Sequence, residues 1–360
     1  MTRSAHVPPR AVSRTSRRDV VSGALALTTA GFMPSTRAAW ARPGRLAYTG
    51  VNLAGAEFGT IPGTYARDYA YPPHELIDYF SEAGFNLIRV PFAWERLQPD
   101  LGKDLAAEEL AHLTALADYA ANKRIHIVLD VHNYAHRRLA TDGWSIEHKL
   151  GSPAVSPSTL SDLWSRLAAL FKKNDQVIFG LMNEPKDLPS AAWLPMANAA
   201  VAAIRAAGAR NLVLVPGVAY TGAHSWIAAK NTEMIGVADP GGNFAFEVHQ
   251  YLDGDSSGTS PRAVSSRIGS QRIQQFQDWA RKNGVRAFLG EFAASADAQS
   301  LTALRDLCSV MEANSDVWLG WAAWAGGSWW PDDYMFNLNP HKDGAMRAQT
   351  KILSEFARRG

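Results

Sequence analysis

The chain has 360 residues, 47% of them hydrophobic and 19% charged, enough for a packed core and consistent with either one barrel or two smaller domains. A formal net charge of only +2 implies no polyanion partner, so no nucleic-acid role is read from it. Cys308 is the only cysteine, which excludes an internal disulfide; within LTALRDLCSVM it reads as a small buried apolar residue rather than a catalytic thiol.

In chain order, the first segment reads as an address. Arg3, Arg10, Arg14, Arg17, Arg18, Arg37, Arg42 and Arg45 crowd the N-terminus, where Asp19 is the only acid. Ser16-Arg17-Arg18-Asp19-Val20-Val21 resembles a twin-arginine export motif. The weakly hydrophobic run from Val20 to Met33 is too short to span a bilayer, and Ala39-Trp40-Ala41 fits a small-x-small cleavage site. Residues 1–41 are therefore expected to be a signal peptide, and residues 42–360 the exported chain, periplasmic or secreted. The alternative is a disordered basic tail. No other stretch is expected to cross a membrane.

Strand-like and helix-like runs then alternate. LAYTGVNL, NLIRVPF, IHIVLDVHN, VIFGLMNE, NLVLVPG, FAFEVHQY, RAFLGEFA and WLGWAAWA are near-continuous apolar runs, the mark of strands covered on both faces. HELIDYFSEAG, AAEELAHLTALADYAANKR, STLSDLWSRLAALFKK, SAAWLPMANAAVAAIRAAG, RIGSQRIQQFQDWARKNG and SLTALRDLCSVM carry helical spacing. Ser158 and Ser300 read as start signals, and Gly84, Gly208 and Gly284 as stops. The fifth crossover, around SWIAAKNTEM, is the weakest helix. Eight strands with intervening helices predict a single (β/α)8 barrel filling the whole chain after the leader, with a doubly wound open sheet as the rival.

Polar residues interrupt the apolar runs near their C-terminal ends, where a β/α barrel places its chemistry. Asn52 follows the first strand and Arg89 lies in the second. His132 and Asn133 close the third, Asn183 and Glu184 the fourth, His249 and Tyr251 the sixth, Glu291 the seventh and Trp324 the eighth. Any one of them alone could be a satisfied core group; their convergence on one face is the signal. Two carboxyl groups facing one cleft are what glycosidic bond cleavage requires. In a retaining mechanism Arg89 would hold and aim an ionised Glu291, with Tyr251 donating to the same carboxylate. Glu184 would wait protonated, raised by burial and the neighbouring charge, with His249 modulating it. Asn183 suits the sugar hydroxyl beside the reacting carbon, and His132 and Asn133 look like further hydroxyl binders.

Tryptophans supply the other expectation. Trp164 and Trp279, on helical faces, read as core. Trp321, Trp324, Trp329 and Trp330 cluster in GWAAWAGGSWWPDDY, at and beyond the last strand. Their flat faces could bind pyranose rings, or they could pack the barrel mouth. Trp94, in PFAWERLQP, is a candidate for another sugar site, and Trp144 a weaker one.

The ordered set GVNLAGAEFG, GFNLIRVPFAWERLQP, LDVHNY, FGLMNEP, EVHQYLD, FLGEFA and GWAAWAGGSWWPDDYMFNL resembles glycoside hydrolase family 5, in its endo-β-1,4-glucanase (cellulase) branch, from about Gly50 to Asn339. The resemblance implies Glu184 as acid/base and Glu291 as nucleophile. It places Arg89, His132, Asn183, His249, Tyr251 and Trp324 in the remaining active-site positions. It also implies a retaining mechanism without a metal or other cofactor, and a β-glucan polysaccharide as partner. Mannan, xyloglucan and mixed-linkage glucan remain alternative polymers. The chain is expected to act as a monomer. Two rivals stand outside this class: a metal-dependent hydrolase using His132, His249, Asp130 and Glu291, and a non-catalytic glycan binder on the same fold.

Overall fold

The structure is a computed structural model that describes residues 44–141 and 144–357. The segment expected to be a leader, residues 1–41, lies outside the described residues. Eight strands form a closed, all-parallel barrel: β1 (Tyr48–Leu53), β2 (Leu87–Phe92), β3 (His126–Val131), β6 (Val177–Gly180), β7 (Val213–Pro216), β8 (Phe244–His249), β9 (Ala287–Glu291) and β10 (Trp318–Gly326). The remaining pair, β4 (His136–Thr141) and β5 (Trp144–Lys149), is a separate antiparallel hairpin. Pairing of β1 with β10, Tyr48 opposite Gly320 and Val51 opposite Ala323, closes the ring and excludes the open sheet.

The helices are α1 (His74–Glu82), α2 (Trp94–Leu97), α3 (Ala107–Asn122), α4 (Pro157–Phe171), α5 (Ser190–Ala206), α6 (Ile268–Lys282), α7 (Ala298–Ala313) and α8 (Ala348–Ala357). The fifth crossover holds only a 3-10 helix, Asn231–Gly236, and the expected full helix there does not form. Two expected start signals also move. Ser156 precedes α4, which has Pro157 in its first turn, and Asp297 caps α7 by accepting from the backbone N–H groups of Gln299 and Ser300. Ser300 instead lies inside α7, where its hydroxyl accepts from the Ala263 N–H at 2.9 Å. Helices α1, α5 and α6 do stop at Gly84, Gly208 and Gly284 as expected, all three with positive φ.

Two apolar layers hold the fold. Inside the ring, Tyr48, Leu87, Val128, Ile178, Leu214, Ala245, Phe288 and Ala322 pack on one another, one from each strand. Outside it, a larger cluster joins the sheet to the helices, including Trp164, Trp193, Trp226, Trp318 and Trp321. The interior cluster fills the barrel below the polar residues, so chemistry is confined to the C-terminal mouth.

Candidate active site

Strand alternation builds the site. Side chains two apart share a face, and the barrel-facing positions change character on the way up. β2 offers Leu87 and then Arg89, β3 offers Val128 and then Asp130, and β8 offers Ala245, Glu247 and His249; the first of each belongs to the interior apolar cluster. The later members, with Asn52 from β1 and Glu291 from β9, make a buried charged layer on top of it.

Arg89 is the hub. Its Nη1 donates to Asn52 Oδ1 at 2.9 Å and to Glu291 Oε1 at 3.0 Å. Its Nη2 donates to Asn183 Oδ1 at 2.9 Å and lies 3.2 Å from Asp130 Oδ2. Its Nε lies 3.0 Å from Glu247 Oε1. Burial disfavours the charged guanidinium, but Asp130, Glu247 and Glu291 outweigh it and raise its pKa further above the ordinary arginine value. The second oxygen of Glu291 accepts from the Tyr251 hydroxyl at 2.8 Å. Burial, reinforced by the charge of Glu291, lifts that phenol well above its usual range, so it remains a donor.

Glu184 follows Asn183 in the loop after β6, with φ at 44°, a backbone conformation that costs a residue with a side chain of order 1–3 kcal/mol. Its Oε1 lies 2.7 Å from His249 Nδ1. Burial pushes the Glu184 pKa up, His249 opposes this, and the charge of Glu291 adds to it. For His249, burial alone would depress the pKa; Glu291, Glu184 and Glu247 reverse the sign and lift it to about 10. One carboxylate oxygen from Glu184, one from Glu291 and a ring nitrogen of His249 all lie within 4.8 Å of one another.

The walls are aromatic. His132 Nδ1 sits 2.8 Å from Asp130 Oδ2, and its Nε2 lies 3.1 Å from Asn183 Nδ2 and 3.2 Å from the Tyr134 hydroxyl. Trp324 stacks on His132 with centroids 6.0 Å apart, and its Nε1 donates to the Tyr334 hydroxyl at 3.1 Å. Trp330 stacks on Tyr334 at 4.0 Å and meets Trp324 edge-on at 6.1 Å. Trp329 is 42% exposed beyond them. Glu57, in the loop after β1, accepts from the Gly55 N–H at 2.7 Å, and burial pushes its carboxyl up to about 7.

Two expected sugar contacts are corrected. Trp94 is fully buried: its Nε1 donates to Gln98 and the Arg137 guanidinium covers its ring at 4.9 Å. Asn133 spends its side chain on the scaffold, accepting from the Trp94 N–H at 2.8 Å and donating to Glu95 at 2.8 Å. Glu95 also accepts from the Arg138 N–H of β4, so α2, Asn133 and the hairpin form one interlocked unit. Trp321 is likewise core, and so is Trp164, the latter as expected. The side chain of Trp144 lies outside the described residues. Sequence reasoning missed Glu247, although its place two residues before His249 in one strand puts both on the same face.

A closed parallel barrel with paired carboxyl groups at its C-terminal mouth defines a glycosidase-type architecture. The cellulase (glycosyl hydrolase family 5) profile matches residues 47–327, and the chain belongs to that family. It is 38% identical over 301 residues to endoglucanase gh5-1 of Neurospora crassa, covering 82% of this chain and 74% of the relative. It is 36% identical over 309 residues to endo-beta-1,4-glucanase B of Aspergillus niger, covering 85% and 89%. Among solved structures, the endo-beta-1,4-glucanase Xac0029 of Xanthomonas axonopodis pv. citri superposes with a TM-score of 0.82 at 44% identity, covering 87% of this chain and 99% of the other. XacCel5A in complex with cellopentaose matches equally well, with a TM-score of 0.82, 44% identity and coverage of 86% and 99%.

Proposed function

We propose that the protein is a retaining endo-β-1,4-glucanase acting on cellulose-type glucans, with Glu291 as nucleophile and Glu184 as acid/base. The observation that carries this is the approach of the two carboxyl groups, whose nearest oxygens lie within 4.8 Å. Retention needs a gap of about 5–5.5 Å, whereas inversion needs about 6.5–9.5 Å to admit a water.

Arg89 and Tyr251 each take one oxygen of Glu291 and so fix its plane toward the anomeric carbon. Glu291 attacks that carbon, the glycosidic C–O bond breaks, and the departing oxygen takes the proton of Glu184. Forming the glycosyl ester removes the negative charge of Glu291. That charge is one of the causes raising Glu184, so its loss lowers the Glu184 pKa and prepares it to act as base. Glu184 then takes a proton from water, whose oxygen attacks the anomeric carbon and releases Glu291. Asn183 and His132 would meet sugar hydroxyls, and Trp324, Trp330 and Trp329 would line successive rings. The pairing of this fold with cellopentaose in XacCel5A supports a β-glucan as the ligand.

We also infer export through the leader at residues 1–41, with each barrel acting as a monomer, since a single chain carries every group of the site. Among the described residues no helix is long and apolar enough to cross a membrane.

Reducing ends released from carboxymethylcellulose, mannan and xyloglucan test the substrate; strong mannan cleavage without cellulose cleavage would reject it. Glu184→Gln should lower kcat by about 10²–10⁴-fold, and azide, which needs no base, should restore turnover of an activated aryl cellobioside. Glu291→Gln should bind cello-oligosaccharide without cleaving it. A Glu291→Gln enzyme with ordinary turnover would end this assignment.

A further inference from the structure

We propose that Glu247 is a positioning residue for the reaction: its carboxyl group, beneath the catalytic pair, sets how firmly the proton shared by His249 and Glu184 is held. The inference rests on the proposed roles of Glu184 and Glu291.

Glu247 is 1% exposed and lies between Arg89 and His249. Its Oε1 lies 3.0 Å from Arg89 Nε and 3.5 Å from His249 Nε2. Neither contact is aligned as a hydrogen bond, and among the described residues neither oxygen of Glu247 has a hydrogen-bond partner. A doubly protonated His249 can turn its Nε2–H toward this carboxyl group, and that contact helps to raise the imidazole. The fold makes room for it at a specific point. A Cβ at Gly290 would stand 2.1 Å from Glu247 Oε1, so the residue beside Glu291 must lack a side chain for Glu247 to reach its place.

Charge balance says what Glu247 does there. Arg89 already faces Asp130 at 3.2 Å and Glu291 at 3.0 Å. His132 faces Asp130 at 2.8 Å. The third carboxyl group adds negative charge to a buried site, which favours a proton on the basic group nearest to it. His249 is that group, 3.5 Å away. With a proton on each nitrogen it presents Nε2–H to Glu247 and Nδ1–H to Glu184, so the charge below governs the proton above. The charged and titratable groups around His249 are Glu247 on its own strand, Arg89 on β2, Asp130 with His132 on β3, Glu184 after β6, Glu291 on β9 and Tyr251 beyond β8. Glu247 differs from Glu184 and Glu291 in lying below the pair, where it can tune the proton without meeting the sugar.

The test is the pH profile of kcat/KM on a soluble cello-oligosaccharide for wild type, Glu247→Gln and Glu247→Asp. Removing one negative charge at this distance should bring the alkaline limb down by about 1 pH unit or more in Glu247→Gln, with Glu247→Asp lying between. An unmoved limb, with only the plateau or the melting temperature lowered, would overturn the proposal and leave Glu247 a structural ion. Should Glu247→Gln fail to fold, nitrogen-15 histidine NMR compares the wild type with Glu247→Asp. A His249 ring that loses its second proton at lower pH in Glu247→Asp supports the proposal, and identical titrations in the two proteins refute it. That readout needs no turnover, so it also judges Glu247 if the enzyme proves inactive on every β-glucan and the proposed function falls.

Discussion

Arg89 ties together groups from five places in the chain, namely Asn52, Asp130, Asn183, Glu247 and Glu291, and its buried charge is stable only because they surround it. The same layer gives His249 an unusual titration with a consequence for stability. Its folded pKa, about 10, lies above the ordinary histidine value of 6.5. The folded state therefore holds a proton that the unfolded chain releases earlier. The resulting stabilisation is fully present below about pH 6.5 and is lost as pH rises through about 10. Scanning calorimetry from pH 6 to pH 10.5 should show the melting temperature of the wild type falling across this window, and His249→Asn should flatten part of that fall. Identical slopes in the two proteins would mean that His249 is neutral in the native state.

At the level of elements, what the sequence exposes is what burial demands. All eight barrel strands were legible because each is buried on both faces and so mostly apolar, and six helices were legible from their spacing. The hairpin β4–β5 was not, because its buried side chains are the polar His136 and Arg137 while the apolar Ile146 is 45% exposed, so no apolar alternation marks HRRLAT and WSIEHK. That omission explains the errors at Trp94 and Asn133. A tryptophan after a strand looks available for a sugar until a hairpin with Arg137 closes over it. Most of the candidate site was readable from strand ends. Glu247 was hidden inside an apolar run, where only the two-residue period gives it away. The close approach of β1 and β10 offers a test at this scale. A Cβ at Gly320 would fall 1.9 Å from the Tyr48 carbonyl oxygen, a backbone atom that cannot move without shifting the ladder. Gly320→Ala should therefore cost at least about 1–3 kcal/mol in denaturant unfolding. Gly102→Ala, with nothing within 4 Å, meets no such contact, although its φ of +73° carries its own strain. A Gly320→Ala loss well below about 1 kcal/mol would show that the β1–β10 ladder gives way at this contact.

At the scale of the barrel, the relevant fact is that the eight strands of the described residues close into one ring, so global unfolding is expected to be its main route of opening. Cys308 reports on this directly. It is the only cysteine in the sequence, lies on α7, and is fully buried against the outer apolar layer. Burial raises its thiol far above the ordinary range, so it is shielded both by position and by the absence of thiolate. Iodoacetamide should therefore leave native activity unchanged, and the rate of labelling should follow global unfolding across a denaturant series. Fast labelling with activity intact would show that α7 opens locally, apart from the barrel. The same lone thiol bears on the proposed export. A chain that gains no disulfide outside the cell can complete its fold beforehand, as a twin-arginine route would require. Residues 42–360 made in a reducing cytoplasm should melt at the same temperature with and without reductant; a reductant-dependent melt would mean that Cys308 pairs between chains and that the buried position on α7 is not its only state.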